Sequence, residues 1–119
     1  MTELAIEEVK HAKEVLANIA RKTPLTHSAY LSKDNNIYLK SENLQLTGSF
    51  KLRGAYYKIS KLSEDEKKKG VIACSAGNHA QGVALGAKEK NIKAAIFMPL
   101  TAPISKVEAT RSYGAEVKL

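Results

Sequence analysis

Two short stretches of this 119-residue sequence hold the residue types that do chemistry. The first is Thr47-Gly48-Ser49-Phe50-Lys51-Leu52-Arg53-Gly54-Ala55. Glycines on both sides of Ser-Phe-Lys let backbone and ligand approach closely. A lysine beside an aromatic ring at a helix start is a candidate for partial desolvation, which favours the neutral amine that forms Schiff bases. Taken alone, the same lysine reads first as a surface residue of an amphipathic helix. The second stretch is Ser75-Ala76-Gly77-Asn78-His79-Ala80-Gln81-Gly82, between an apolar strand and a helix. In open α/β sheets ligands sit at such strand-to-helix turns, and the free N–H groups of the helix start favour a carboxylate or phosphate. Gly77 and Gly82 lack the G-x-G-x-x-G spacing of a dinucleotide site, and Gly82 with Gly86 reads as close helix packing.

The hydrophobic spacing supplies the elements that must hold these stretches. Ile6, Val9, Leu16 and Ile19, with Val15 and Ala20 beside them, predict an amphipathic helix over about residues 3–21, capped by Thr2 and closed by Pro24. A short strand is predicted at Ile37-Tyr38-Leu39-Lys40, after a turn at Lys33-Asp34-Asn35-Asn36. A helix running from about Ser49 to Lys61 opens on the first chemical stretch. Ser63 and Glu66 have capping-box spacing, so a short helical turn ended by Gly70 is expected. Beyond it come strand Val71–Cys74, helix Asn78–Lys90, strand Ala94–Met98, helix Pro103–Tyr113 and a strand from Glu116. That alternation, with short links, predicts an α/β fold with a parallel sheet and right-handed βαβ crossovers. Cys74 is read as a small buried strand residue. His11 and His27 have no partners legible in the sequence and are read as surface or satisfied residues.

Composition narrows the classes. With 44% hydrophobic and 26% charged residues, 7 Gly and 3 Pro, the chain is neither low-complexity nor disordered. No apolar run approaches the roughly 18 residues of a membrane span, so no membrane association is expected. The acidic N-terminus, MTELAIEEVK, is unlike a secretory signal. The lone Cys74 agrees with a reducing cytoplasm. A net charge of +7 comes from 19 Lys and Arg against 12 Asp and Glu. These bases are scattered and not interleaved with aromatics, so no nucleic-acid partner is expected, and no metal site is indicated.

KSENLQLTGSFKLRGA followed by ACSAGNHAQGVAL resembles the fold-type II pyridoxal-phosphate (PLP) enzymes, within them the threonine dehydratase (threonine ammonia-lyase) and serine racemase group. The resemblance runs from Arg21-Lys22-Thr23-Pro24-Leu25 to Gly114-Ala115-Glu116-Val117. It implies the N-terminal portion of a tryptophan-synthase-β-like fold. It makes Lys51 the lysine that binds PLP covalently, with Phe50 flanking the ring and Asn78 bonding the ring's 3′-oxygen. Ser75, Gly77 and His79 would receive the substrate carboxylate. The implied reaction is β-elimination: L-threonine gives 2-oxobutanoate and ammonia, and L-serine gives pyruvate and ammonia. Isoleucine biosynthesis and threonine catabolism are the pathways such an enzyme serves. AMP activation, known among the catabolic members, would by resemblance involve Thr47 and Gln81; otherwise these read as a helix-entry threonine and a solvent-facing glutamine.

Family members are longer, and their glycine-rich phosphate loop has no counterpart in this sequence. The expectation is an N-terminal fragment, with residues 1–69 joining the large PLP domain and residues 70–119 opening the small α/β domain. The whole protein is expected to act on a small amino acid, as an oligomer of identical chains, in the cytoplasm. The rivals are a serine racemase, another fold-type II enzyme and a non-catalytic α/β module. In serine racemases the turn reads Ser-Ser-Gly-Asn-His, whose second serine returns a proton on the face opposite the lysine. Here that place is taken by Ala76, which carries no transferable proton.

Overall fold

The computed structural model describes residues 5–119. In chain order its elements are α1 (Ile6–Leu16), β1 (Leu25–His27), β2 (Tyr38–Lys40), α2 (Lys51–Ser60), α3 (Glu64–Lys69), β3 (Val71–Cys74), α4 (Asn78–Glu89), β4 (Ala94–Phe97), α5 (Ile104–Ser112) and β5 (Glu116–Lys118). A 3-10 turn, Glu42–Leu44, stands between β2 and α2.

The expected α/β sheet is present. Strands β3, β4 and β5 lie side by side in chain order, all parallel, with Val71 opposite Ala94 and Ala95 opposite Glu116. Val83, Ala84 and Ala87 of α4 and Val107 of α5 pack with Ile96, Met98 and Ala115 into one apolar core. Helix α2 lies along α4, and the two glycines set the distance. A Cβ on Gly82 would sit 3.0 Å from the Lys51 carbonyl carbon, and one on Gly86 would sit 3.3 Å from the Tyr56 Cα. Close packing at Gly82 and Gly86 is therefore what the structure uses. The box predicted at Ser63 is also there: Glu66 N–H donates to Ser63 Oγ at 3.3 Å, and Ser63 N–H donates to Glu66 Oε2 at 2.8 Å.

Three expectations need correcting. The first helix ends at Leu16, well short of residue 21, and its predicted start and Thr2 cap lie outside the described residues. Turns follow, with Ile19 and Ala20 N–H both donating to the Leu16 carbonyl, and then Gln45 captures the Arg21 backbone, accepting from its N–H at 3.0 Å and donating to its carbonyl at 2.7 Å. A backbone paired in this way cannot continue a helix. Strand β1 went unpredicted, since three residues show no periodicity; it pairs antiparallel with β2, Thr26 opposite Leu39.

Cys74 is exposed rather than buried. Along β3 the side chains alternate, so that Val71 and Ala73 turn towards the core while Ile72 and Cys74 face the other way. No described element covers that second face, and Ile72 is 76% exposed there. The unbroken apolar run Val-Ile-Ala-Cys is the pattern of a parallel strand covered on both faces.

Candidate active site

The lysine turn is built by a chain reversal and a polar clamp. Gly48 adopts φ 69°, a left-handed conformation that favours glycine, and so turns the chain into α2. Phe50 stands at the N-cap position with no side-chain cap, and the first turn carries no acid although it contains Lys51 and Arg53. Two cations at the positive end of a helix are unfavourable. The missing acid comes from Glu42, in the 3-10 turn. Arg53 donates to it through Nε at 2.8 Å and through a terminal nitrogen at 2.9 Å. Thr23 Oγ1 donates to the same carboxylate at 2.5 Å, and Lys40 Nζ to the Thr23 carbonyl at 2.7 Å. The hydrogen bonds from Arg53, joined by that from Thr23 and opposed by partial burial, hold the Glu42 carboxyl at a pKa of about 2. Arg53 also donates to the Arg21 carbonyl at 3.1 Å.

Lys51 itself is exposed, with Nζ 5.0 Å from the centre of the Phe50 ring, which is likewise exposed. The desolvation expected of it is absent here, because the Phe50 ring shields only one side and no described residue closes over the turn. Among the described residues Nζ has no hydrogen-bond partner, so the amine is free to react.

The second turn follows β3. Ser75 N–H donates to the Phe97 carbonyl at 3.1 Å, and Gly77 N–H to Ser75 Oγ at 3.3 Å. Ser75, Ala76 and Gly77 are half-buried, while Asn78 and His79 are exposed on the first turn of α4. That turn has neither an acid nor a side-chain cap. Its N–H groups ahead of the first intrahelical bond are available to an anion. Lys106 Nζ donates to Asn78 Oδ1 at 3.4 Å.

The structure brings the two turns together through Gly82, one helical turn beyond Asn78, which abuts the Lys51–Leu52 peptide. Thr47 and Gln81 are both buried, so Gln81 is not solvent-facing, and Thr47 Oγ1 is a buried oxygen with no partner among the described residues. His27 packs edge-on against Tyr38. His11 bonds the Tyr57 hydroxyl at 3.1 Å, a partner the sequence did not reveal. A hollow of about 560 Å³ runs along α1 past Lys40 and Arg53 and touches neither Lys51 nor Asn78. Sequence reasoning missed Glu42, Thr23, Lys40 and Gln45. No spacing rule links them to the lysine; the charged Arg53 inside the motif was the one available signal.

Comparison with known proteins places these turns in context. The family model described as pyridoxal-phosphate dependent enzyme matches residues 16–119. An L-threonine ammonia-lyase of Thermotoga maritima is 54% identical over 118 residues, covering 98% of this chain and 29% of that protein. The chain thus spans about a third of the length of the curated relatives it matches. The processed form of threonine deaminase isoform 2 from Solanum lycopersicum superposes with a TM-score of 0.81 at 43% identity, covering 99% of this chain and 34% of that one. A serine racemase from Dictyostelium discoideum gives 0.90 at 36% identity, covering 97% and 38%.

Proposed function

The chain belongs to the pyridoxal-phosphate dependent enzyme family, and on that footing we propose that it is the N-terminal part of a lyase that deaminates L-threonine, and L-serine beside it. The observation that carries the proposal is the contact of the two turns: the Lys51–Leu52 peptide, whose lysine is exposed, packs against Gly82, one turn into a helix whose start is uncapped.

The residues present fit the ring end of PLP. Lys51 offers an unengaged amine for covalent attachment, Phe50 an exposed aromatic face, and Asn78 a carboxamide at the α4 start. When bound, PLP supplies an electron sink for the pair left on the substrate Cα. Lys51 would hold the cofactor until the substrate amine replaces it. Its released amine would then take the Cα proton on its own face of the site. Ser75 Oγ, the Gly77 backbone and His79 would orient the carboxylate, helped by the free N–H groups of the α4 turn. The β-hydroxyl leaves as water, taking up a proton equivalent to the one Lys51 removed from Cα, and the released enamine is hydrolysed to the 2-oxo acid and ammonia.

Elimination is favoured over racemisation by Ala76, whose methyl group cannot return a proton to the opposite face. The likeness to serine racemases makes that residue the discriminating one. In the complete polypeptide, an absorption band of lysine-bound PLP, trapped by borohydride on Lys51, is the expected result. L-threonine and L-serine should yield 2-oxo acids without appreciable D-serine by chiral chromatography, and Ala76→Ser should add D-serine. Absence of the band, or rapid D-serine formation by the unaltered enzyme, refutes the proposal.

The same reading places residues 1–69 with a large domain and residues 70–119 with a small one, in an oligomer of identical cytoplasmic chains serving isoleucine biosynthesis or threonine catabolism. AMP control through Thr47 and Gln81 is a subordinate proposal. The unpartnered Thr47 hydroxyl supports it; the burial of Gln81 weighs against it.

A further inference from the structure

Lys106 stands between two helix starts that offer it no acid. It lies in the first turn of α5, which contains no acid, and its ammonium reaches the first turn of α4, which contains none either. Both helix starts present the positive end of their dipoles, so this position brings no electrostatic gain to the chain by itself. Its backbone is nevertheless fixed. Lys106 N–H donates to the Pro103 carbonyl at 2.9 Å, and its carbonyl accepts from the fully buried Thr110 hydroxyl at 2.8 Å. The next residue, Val107, is anchored in the core. The side chain is therefore launched towards Asn78 from a rigid base.

The contact also settles an ambiguity. A carboxamide has one end that accepts and one that donates, and an ammonium can only donate. Lys106 must therefore engage Oδ1, leaving the Nδ2 hydrogens of Asn78 as the free end. An anionic ring oxygen requires just such a donor. We propose that Lys106 is a positioning residue: its bond to Asn78 Oδ1 turns the carboxamide so that Nδ2 faces the 3′-oxygen of PLP, and its charge is balanced only when that anion is bound. This rests on the function proposed above.

The test compares Lys106→Met, Lys106→Arg, Asn78→Ala and the Asn78→Ala/Lys106→Met double variant in the complete polypeptide. PLP affinity, the position of the bound-cofactor band and the melting of the apoprotein are measured. Lys106→Met is expected to weaken PLP binding about tenfold and shift the band, with apoprotein melting unchanged. Lys106→Arg, which still donates, should recover most of the affinity. In the Asn78→Ala background Lys106→Met should have little further effect, since the residue acts through Asn78. An unchanged band and affinity in Lys106→Met, equal losses in Met and Arg, or full additivity in the double variant would each overturn the inference. Absence of a Lys51-linked band with Lys106 in place would instead refute the underlying function, and the inference with it.

Discussion

The two faces of helix α2 are held by different physics. Its long side, with Leu52, Ala55, Tyr56 and Ile59 buried, is fastened to α4 and its neighbours by apolar packing. Its first turn, carrying Lys51, is tied to the N-terminal segment by the Glu42–Arg53 pair and the bonds around it. That segment buries little: α1 contains no buried residue, and β1 and β2 are exposed throughout. Packing thus determines where α2 lies, while hydrogen bonds determine how its first turn ends. Lys51, placed at the junction, is carried by a packed helix yet remains open to solvent.

The packing side is broken most severely at Gly82. Gly82→Leu drives a side chain into the Lys51–Leu52 backbone, which cannot rotate away, and is expected to cost about 3 kcal/mol or more by denaturant unfolding. A smaller loss would show that α2 is free to slide on α4.

The clamp is weaker and depends on pH. Glu42→Gln removes the carboxylate that pairs with Arg53 and should cost about 2 kcal/mol at neutral pH, less than the full shift implies because Arg53 is one-third open to water. The folded Glu42 carboxyl lies at about 2, below its ordinary 4.5, so its contribution is complete above 4.5 and is lost as pH falls towards 2. The variant should flatten the acid side of the stability profile in that window. Glu8 and Glu66, also lowered by hydrogen bonds from Lys61 and from the Ser63 N–H, retain the remainder. An unaltered acid limb would remove the clamp from the comparison.

Gly86 sharpens the contrast with the smallest change. There the nearest atom, at 3.1 Å, is the Ile59 Cδ1, a side-chain end that can move, and the Tyr56 Cα stands farther off at 3.3 Å, so a single methyl needs a shift of only a few tenths of an ångström. Gly86→Ala should fall within about 1 kcal/mol of wild type, because relief of the helical glycine offsets the crowding. A loss equal to that of Gly82→Leu would mean that both glycines are held by unyielding neighbours.

The apolar side was the legible one. Strand–helix alternation from Gly70 onward, the Ser63–Glu66 box and the Gly82–Gly86 spacing are local patterns with local causes, and the structure follows them. The lysine motif and the turn at Asn78 were legible for a second reason: their residue types are unusual enough to resemble a family. What escaped was non-local. Gln45 fixes the backbone after α1 from more than twenty positions away by bonding Arg21, and Glu42 meets Arg53 across a reversal whose shape depends on Gly48. Cys74 escaped differently, since a run of apolar residues cannot say which of its faces will be covered.

The consecutive order of β3, β4 and β5 bears on how the molecule is made. Each ladder closes over a single crossover helix of modest length, a cheap loop that forms quickly. Helix α2, by contrast, leaves the ribosome before α4, the surface it must pack on, has been synthesised. At about 5–20 residues per second, Ala55 and Ile59 remain without their α4 partners for a few seconds, while Leu52 and Tyr56 have only Val15, Leu16 and Ile19 beside them. In that interval the nascent chain displays part of an apolar helix face uncovered, and the two turns of the site become neighbours only when Gly82 has emerged.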